Sequence, residues 1–142
     1  MIVYIDGVFD LFHRGHLESL KKCKNICDNV SLVVGVVSDE DATLYKRKPI
    51  INFEDRIEIV KSIKYVDEII EKCPLVITEN FIKKYNIDLV VHGFSSEEDE
   101  LKQEIFFKDV KNLGIFRKID YYDKESTTGI IDRVYSYCIT KT

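Results

Sequence analysis

Val30 to Val37 is an apolar run interrupted only by Ser31 and Gly35. A strand with one face in water alternates apolar and polar residues. A strand covered on both faces is apolar throughout, and that case belongs to parallel sheets with helices above and below. Four further stretches read as strands: Met1 to Ile5, Tyr65 to Ile70, Ile87 to Val91 and Ile115 to Tyr121. Segments with helical signals separate them. Leu17 to Cys27 follows the first strand, and Ser38-Asp39-Glu40 caps a short helical turn after the second. Asn52 caps a helix from Phe53 to Lys64, and Thr78 to Tyr85 forms another. Ser95 to Glu100 reads as an acidic loop before a helix from Leu101 to Leu113, stopped by Gly114, that turns Ile105, Phe106 and Val110 toward the core. Ser126-Thr127-Thr128 opens the last helix, with Ile130, Ile131, Val134 and Cys138 at helical spacing. Strands alternating with helices predict an α/β fold, a three-layer α/β/α sandwich around a five-stranded parallel sheet.

A chain of 142 residues, 45% of them hydrophobic, buries a core as one domain over residues 1–142 without staples. The formal charge of −4 speaks against a broad basic face for nucleic acid. An anion site must then be assembled from a few local cations, which draws attention to Lys46, Arg47, Lys48 and Arg56. Cys23, Cys27, Cys73 and Cys138 show no zinc spacing; Cys23 and Cys27 fall at i, i+4 on one helix face, and buried free thiols are the expectation. Ile2 to Ile5 is too short for a signal peptide or a membrane span and Leu32 to Val37 has only strand length, so the reading is a cytoplasmic protein without a membrane helix.

The chemistry concentrates after the first strand, in Asp6-Gly7-Val8-Phe9-Asp10-Leu11-Phe12-His13-Arg14-Gly15-His16. A strand, a tight turn and a helix entry form a place for phosphates, because a helix N-terminus offers unpaired N–H groups and a positive dipole end. The His-x-Gly-His spacing puts two rings on one side of that entry, while Gly15 removes a Cβ that would crowd a ligand. A lone histidine at a helix start is ordinarily a cap. The pair, with a strand before and a helix after, points to phosphate chemistry. Neither a Walker A lysine motif nor a Gly-x-Gly-x-x-Gly fingerprint is present.

Asp6 to His16 resembles the signature of the cytidylyltransferases within the HxGH nucleotidyltransferase superfamily, most of all the choline-phosphate and ethanolamine-phosphate enzymes, and the resemblance extends from Ile2 to about Val134. It implies a Rossmann-like nucleotidyltransferase domain that transfers CMP from CTP to a phosphorylated amino alcohol, giving a CDP-alcohol and pyrophosphate for phospholipid synthesis. His13 and His16 are implied as catalytic donors to phosphate oxygens, and Lys46, in the Tyr45 to Ile51 loop, as the cation spanning both substrates. Arg47 and Lys48 are then accessory or solvent-facing. Nucleotide binding is implied for Gly7, Val8, Phe9, Gly15, His92, Gly93, Ser126, Thr127 and Thr128, although the last three hydroxyls are first of all caps and His92 reads equally as a core-edge residue. Strands of open α/β sheets bring ligands to their carboxyl ends, so Asp6-Gly7 and His92-Gly93 should line one crevice. Asp10 is implied beside the amino-alcohol head, and Arg56, otherwise an ordinary surface ion pair, beside phosphate or substrate. Mg²⁺ is expected with the triphosphate, held by phosphate oxygens and without protein ligands. Tyr65-Val66-Asp67-Glu68-Ile69 resembles a segment at the family's dimer interface, with Lys64 where an arginine is usual, and a homodimer is implied.

The chain departs from the family pattern in three further places. Tyr121-Tyr122-Asp123-Lys124 stands where Arg-Thr-Glu-Gly is usual, leaving Lys118 or Lys124 near the missing arginine. Phe94-Ser95-Ser96 follows His92-Gly93. Leu75, after Pro74, occupies a position that is tryptophan in the choline enzymes and tyrosine in the ethanolamine enzymes. A quaternary ammonium depends on aromatic faces, and a chain without tryptophan should accept phosphoethanolamine at least as well as phosphocholine, with Tyr121 or Tyr122 as rings that could reach the pocket. Two alternatives stay open: cytidylyl or adenylyl transfer to another acceptor, such as glycerol 3-phosphate, a flavin or pantetheine phosphate, and a nucleotide-binding module without turnover.

Overall fold

The computed structural model describes residues 1–141. Five strands, β1 (Ile2–Gly7), β2 (Ser31–Val36), β3 (Glu68–Glu71), β4 (Leu89–His92) and β5 (Phe116–Lys118), form one sheet in the order β3-β2-β1-β4-β5. Every neighbouring pair is parallel. The chain winds outward from β1 through β2 to β3, then returns across β1 to β4 and β5. The reversal lies between β1 and β4, the place where open α/β sheets part their loops and leave a crevice.

Among the described residues there are seven helices, α1 (Arg14–Lys24), α2 (Asp39–Tyr45), α3 (Phe53–Lys61), α4 (Glu79–Tyr85), α5 (Glu97–Lys102), α6 (Glu104–Asn112) and α7 (Thr127–Thr140). Alternate strand residues feed two cores. Val3 and Ile5 of β1, Leu32, Val34 and Val36 of β2, and Val91 of β4 pack with Leu20 and Cys23 of α1 and Ile57 and Val60 of α3. Tyr4, Val33 and Val90 point the other way, toward Phe81 and Ile82 of α4 and Phe107 and Val110 of α6. These are the three layers that the unbroken apolar runs require.

Local boundaries differ from the sequence reading where side chains outrank periodicity. The first helix begins at Arg14 rather than Leu17, because His13 is its cap, and it ends at Lys24, so Cys27 lies beyond it. Cys23 and Cys73 are buried and Cys27 and Cys138 exposed, all four free; the expectation of buried thiols holds for two. Strand β3 starts at Glu68 and β5 is confined to Phe116–Lys118, both shorter than the apolar runs around them. The acidic stretch read as a loop is α5: Ser96 caps it through Asp99 N–H, and four acids suit the positive end of its dipole. A break at Gln103 then starts α6 in a new phase. Phe107 and Val110 consequently enter the core, Phe106 is half-buried, and Ile105, expected inside, is 65% exposed. Helix α7 leaves the body after its first turns, so Val134 and Cys138 are exposed instead of packed. Among the described residues no helix is long and apolar enough to cross a membrane.

Candidate active site

A cleft of ≈ 560 Å³ opens at the carboxyl end of the sheet, between the loops after β1 and β4. Asp6, Gly7 and the turn to His16 form one wall, His92 and Gly93 a second, Lys46 and Arg47 a third, and Ser126 to Thr128 a fourth. The sequence places these groups more than a hundred residues apart; the switch in strand order gathers them.

The histidine pair is set by hydrogen bonding. Gly15 N–H donates to His13 Nδ1 at 3.0 Å, and His13 N–H donates to His16 Nδ1 at 3.1 Å. The two rings thus act as a reciprocal capping box for α1, a task that usually falls to Ser or Thr with Glu. Their centroids lie 3.9 Å apart. Both rings accept at Nδ1, so both carry their neutral-state proton on Nε2, the edge turned away from the helix backbone. Charging them is disfavoured. Burial, then the neighbouring His13 and Lys46, push His16 down to about 3, and burial lowers His13 as well against the pull of Glu125. The pair is therefore two neutral N–H donors at physiological pH.

The turn that delivers them is strained. Phe9 and Leu11 adopt left-handed backbone with φ of 56° and 48°, a conformation worth about 1–3 kcal/mol of strain for residues with side chains. Phe9 is 5% exposed and packs edge-on to His16 at 5.5 Å between centroids, so the ring's burial offsets its backbone. Glycines make the fit possible. A Cβ at Gly7 would come to 3.0 Å of the Phe9 ring, and one at Gly15 to 2.8 Å of His13 Cε1. Gly15 thus makes room for the histidine ring at the cleft wall.

At the floor, burial raises the Asp6 carboxyl to about 7 despite the favourable charge of Lys46. His92 Nδ1 is 3.7 Å from Asp6 Oδ1. Burial, then Lys46, push that imidazole down to about 4, so the contact is not an ion pair near neutral pH. His92 Nδ1 is buried without a hydrogen-bond partner among the described residues, while its ring lies against Phe94 and Phe107 at 4.8 Å. It is both a core-edge residue and a cleft residue. Lys46 is the C-cap of α2 and exposed to the cleft; thin solvation there lowers its pKa, and Asp99 and Asp6 oppose the change.

Two residues expected at the substrate are held largely by the protein itself: Arg56 lies behind the cleft wall, and Asp10 lines the cleft with its carboxylate engaged. Arg56 is fully buried: Nε donates to Ile51 O at 3.0 Å, Nη1 to Val8 O at 2.6 Å and Val37 O at 2.9 Å, and Nη2 to Asp39 Oδ1 at 2.5 Å. With no exposed surface it cannot touch a substrate; it ties the loops after β1 and β2 to the start of α3. Asp10 is 5% exposed, and its carboxylate takes the N–H groups of Ile50 and Ile51, each at 2.8 Å. It borders the cleft as the anchor of the Lys46 loop, and Asp6 is the carboxylate on the floor.

At the fourth wall, Ser126 caps α7 through Gly129 N–H, and Thr127 Oγ1 donates to Asp10 O at 3.2 Å. Thr128 Oγ1 accepts from Arg47 Nη1 at 3.2 Å. The cation beside α7 is thus Arg47 and neither Lys118 nor Lys124; Lys118 pairs with Glu100 at 3.0 Å outside the cleft. Tyr121 and Tyr122 do reach the cleft, joined by Tyr45 and Phe106, whose rings meet edge-on at 5.7 Å. Leu75 packs beside Val37, Ala42 and Cys73 and does not line it. Sequence reasoning missed Asp99 and Gln103, which also line the cleft and hydrogen-bond to each other at 2.9 Å; the cap at Ser96 was the available signal.

This geometry has relatives. The chain matches the Cytidylyltransferase-like family over residues 4–133. It is 35% identical over 132 residues to choline-phosphate cytidylyltransferase A of Homo sapiens, covering 93% of this chain and 36% of that one. It is 34% identical over 132 residues to ethanolamine-phosphate cytidylyltransferase of Dictyostelium discoideum, with the same coverage of 93% and 36%. The chain spans roughly a third of the length of these curated relatives. The crystal structure of a lipopolysaccharide core biosynthesis protein from Thermoplasma volcanium GSS1 is similar with a TM-score of 0.68 and 28% identity, over 87% of this chain and 98% of that one. With strand order, cleft and sequence in agreement, this chain belongs to the cytidylyltransferase-like family.

Proposed function

We propose that this chain transfers CMP from CTP to a phosphorylated amino alcohol, releasing pyrophosphate and a CDP-alcohol used in phospholipid synthesis. The observation that carries the reading is the locked pair of neutral imidazoles in one cleft with a lysine and a buried carboxylate. Phosphoryl transfer asks a protein mainly to align anions and to meet charge that grows on the phosphate oxygens. A phosphate oxygen of the acceptor attacks the α-phosphorus, and the bond to the β-phosphate oxygen breaks. No covalent enzyme intermediate is needed. His13 and His16 donate from Nε2 to the α-phosphate oxygens, and they do so without reorganising, because their Nδ1 atoms are held by the backbone. Lys46 neutralises the two phosphates that must approach each other.

The ammonium of the acceptor fits the floor at Asp6. Asp6 is costly to keep charged on its own, and a cation arriving there relieves that burial. Asp99 and the rings of Tyr45 and Tyr121 complete the surroundings. A primary ammonium donates to carboxylates and a trimethylated one cannot, which favours phosphoethanolamine at least equally. The described residues gather no set of three or more His, Cys, Asp or Glu side chains able to hold a metal ion. Mg²⁺ would enter with the nucleotide, held mainly by phosphate oxygens, and would neutralise charge there. A homodimer formed beside the edge strand β3 and a cytoplasmic setting belong to the same proposal.

Pyrophosphate release from CTP and ATP with phosphoethanolamine, phosphocholine and glycerol 3-phosphate tests it. The expected result is turnover with CTP and a phosphoethanolamine kcat/KM no lower than that for phosphocholine. A preference for ATP, or a phosphocholine kcat/KM more than about tenfold higher, a margin of 1.4 kcal/mol, overturns the substrate assignment. No release with any pair overturns the enzyme.

A further inference from the structure

Three cations line the cleft: Lys46 near the floor, Lys102 at the rim of α5, and Arg47. Lys102 lies 3.6 Å from Glu98, one turn back on its own helix. Arg47 alone reaches the start of α7, 81 residues away in the chain, through Thr128 Oγ1 at 3.2 Å. The hydroxyls there are mostly engaged: Ser126 in capping, Thr127 with Asp10 O. A triphosphate seated at this end therefore meets the guanidinium of Arg47 and the backbone N–H groups of a helix whose first turn carries no acid.

The position of Arg47 is built rather than incidental. The carboxylate of Asp10 holds Ile50 and Ile51 N–H on the same loop, while its main-chain oxygen holds Thr127 of α7. One residue thereby fixes the loop and the helix against each other. Of these two neighbours in sequence, Lys46 lies by the carboxylates of Asp6 and Asp99, while Arg47 reaches Thr128.

We infer that Arg47 binds the β- and γ-phosphates of CTP and stabilises the departing pyrophosphate, supplying at the Lys46 loop the arginine that is absent from Tyr121-Tyr122-Asp123-Lys124. The inference rests on the cytidylyl-transfer reading. When the acceptor oxygen bonds to the α-phosphorus, the electron pair of the broken bond leaves on the oxygen that had bridged the α- and β-phosphorus and is now a terminal oxygen of pyrophosphate. That charge grows beside Arg47, while the charge of the approaching pair lies beside Lys46. A planar guanidinium can hold two phosphate oxygens at once, which an ammonium cannot.

The test is Arg47→Ala and Arg47→Lys, assayed with each substrate varied in turn. Arg47 is exposed, so both variants should fold, and near-unchanged thermal melting checks it. The expected result for Arg47→Ala is a kcat/KM for CTP lowered about 10- to 100-fold, the range for losing a hydrogen bond to a charged group. KM for the acceptor should stay within about twofold, and the lysine variant should recover only part, since it keeps charge without the fork. Calorimetric titration with pyrophosphate reads the same contact without turnover, and its affinity should weaken in parallel. An equal rise in both KM values would make Arg47 a mere latch for the Lys46 loop and overturn the inference, as would unchanged pyrophosphate affinity. If wild type binds pyrophosphate through Arg47 but never turns CTP over, the cytidylyl-transfer reading fails and the Arg47 site stands.

Discussion

Replacing His16 with alanine removes an observed hydrogen bond at one edge of the ring and the proposed phosphate contact at the other. At Nδ1 the variant loses the cap on His13 N–H, 3.1 Å long, and caps are worth about 1 kcal/mol. It also loses ring packing on Phe9 and Phe12, at 5.5 and 5.3 Å between centroids, which adds about another 1 kcal/mol. The sum of about 2 kcal/mol lowers Tm by roughly 5–10 °C for a domain of this size. At Nε2 it loses a donor to the α-phosphate, and losses of that kind reduce kcat by about 10²- to 10³-fold. Glutamine at this position separates the two. Three residues into the helix it can reach back to the N-cap N–H as in an ordinary capping box, but it places no ring N–H over the cleft. His16→Gln should regain most of the lost Tm and little of the lost kcat. Differential scanning calorimetry and pyrophosphate release supply the readouts. An alanine variant with more than half the wild-type kcat, or a glutamine variant that regains rate together with stability, refutes the donor role.

Lys46→Ala should lower kcat/KM for both substrates by about 100-fold, because one cation faces both phosphates, whereas Lys48→Ala, outside the cleft lining, should change neither more than about twofold; the reverse pattern would show the loop in the wrong register. Asp6→Asn should raise the acceptor KM at pH 8 and abolish a fall in that KM as pH rises through about 7, where the Asp6 carboxyl loses its proton; a profile identical to wild type would exclude Asp6 from the ammonium. His16, held near 3 against an ordinary 6.5, binds fewer protons folded than unfolded between those values, so its contribution to stability is complete above pH 6.5 and is lost as pH falls toward 3. Asp6, raised instead, changes with the opposite sign over about pH 4–7, so the difference between wild type and His16→Gln isolates the histidine: about 3 kcal/mol smaller at pH 4.5 than at pH 7 as an upper bound, and a difference independent of pH would contradict the assignment. Arg56→Met should lose about 3–5 kcal/mol by leaving Asp39 and three carbonyls unpaired; a variant with unchanged Tm and a raised acceptor KM would restore Arg56 to the substrate site.

The layers of the fold were legible because a parallel sheet buries both faces of β2 and β4, and apolar runs record burial directly. Helix entry at His13 was not, because a histidine capping box has no distinctive spacing beyond the His-x-Gly-His pattern itself. Helix α5 was hidden for a related reason. Its apolar content is too low for periodicity, and only the cap at Ser96 with the acids behind it marks a start. The site shows a second limit. A motif places a residue in a neighbourhood but not the direction of its side chain, so Arg56 and Asp10 read as substrate contacts although the backbone takes most of their donors and acceptors. Arg47 read as an accessory or solvent-facing cation next to the informative lysine. Its role depends on Thr128, and contact across that much chain leaves no local pattern. Asp6 was part of the quoted motif, yet its burial follows only from the packing of β1 between β2 and β4.

The central claim is that this cleft joins CMP to the phosphate of an amino alcohol, and phosphorus NMR of CTP, Mg²⁺ and phosphoethanolamine with the wild-type protein tests it most directly. The phosphomonoester signal should disappear while two coupled diphosphate signals of CDP-ethanolamine grow in step with pyrophosphate, one for one. CMP and pyrophosphate appearing with the phosphoethanolamine signal intact, or CTP bound and unchanged, would contradict it.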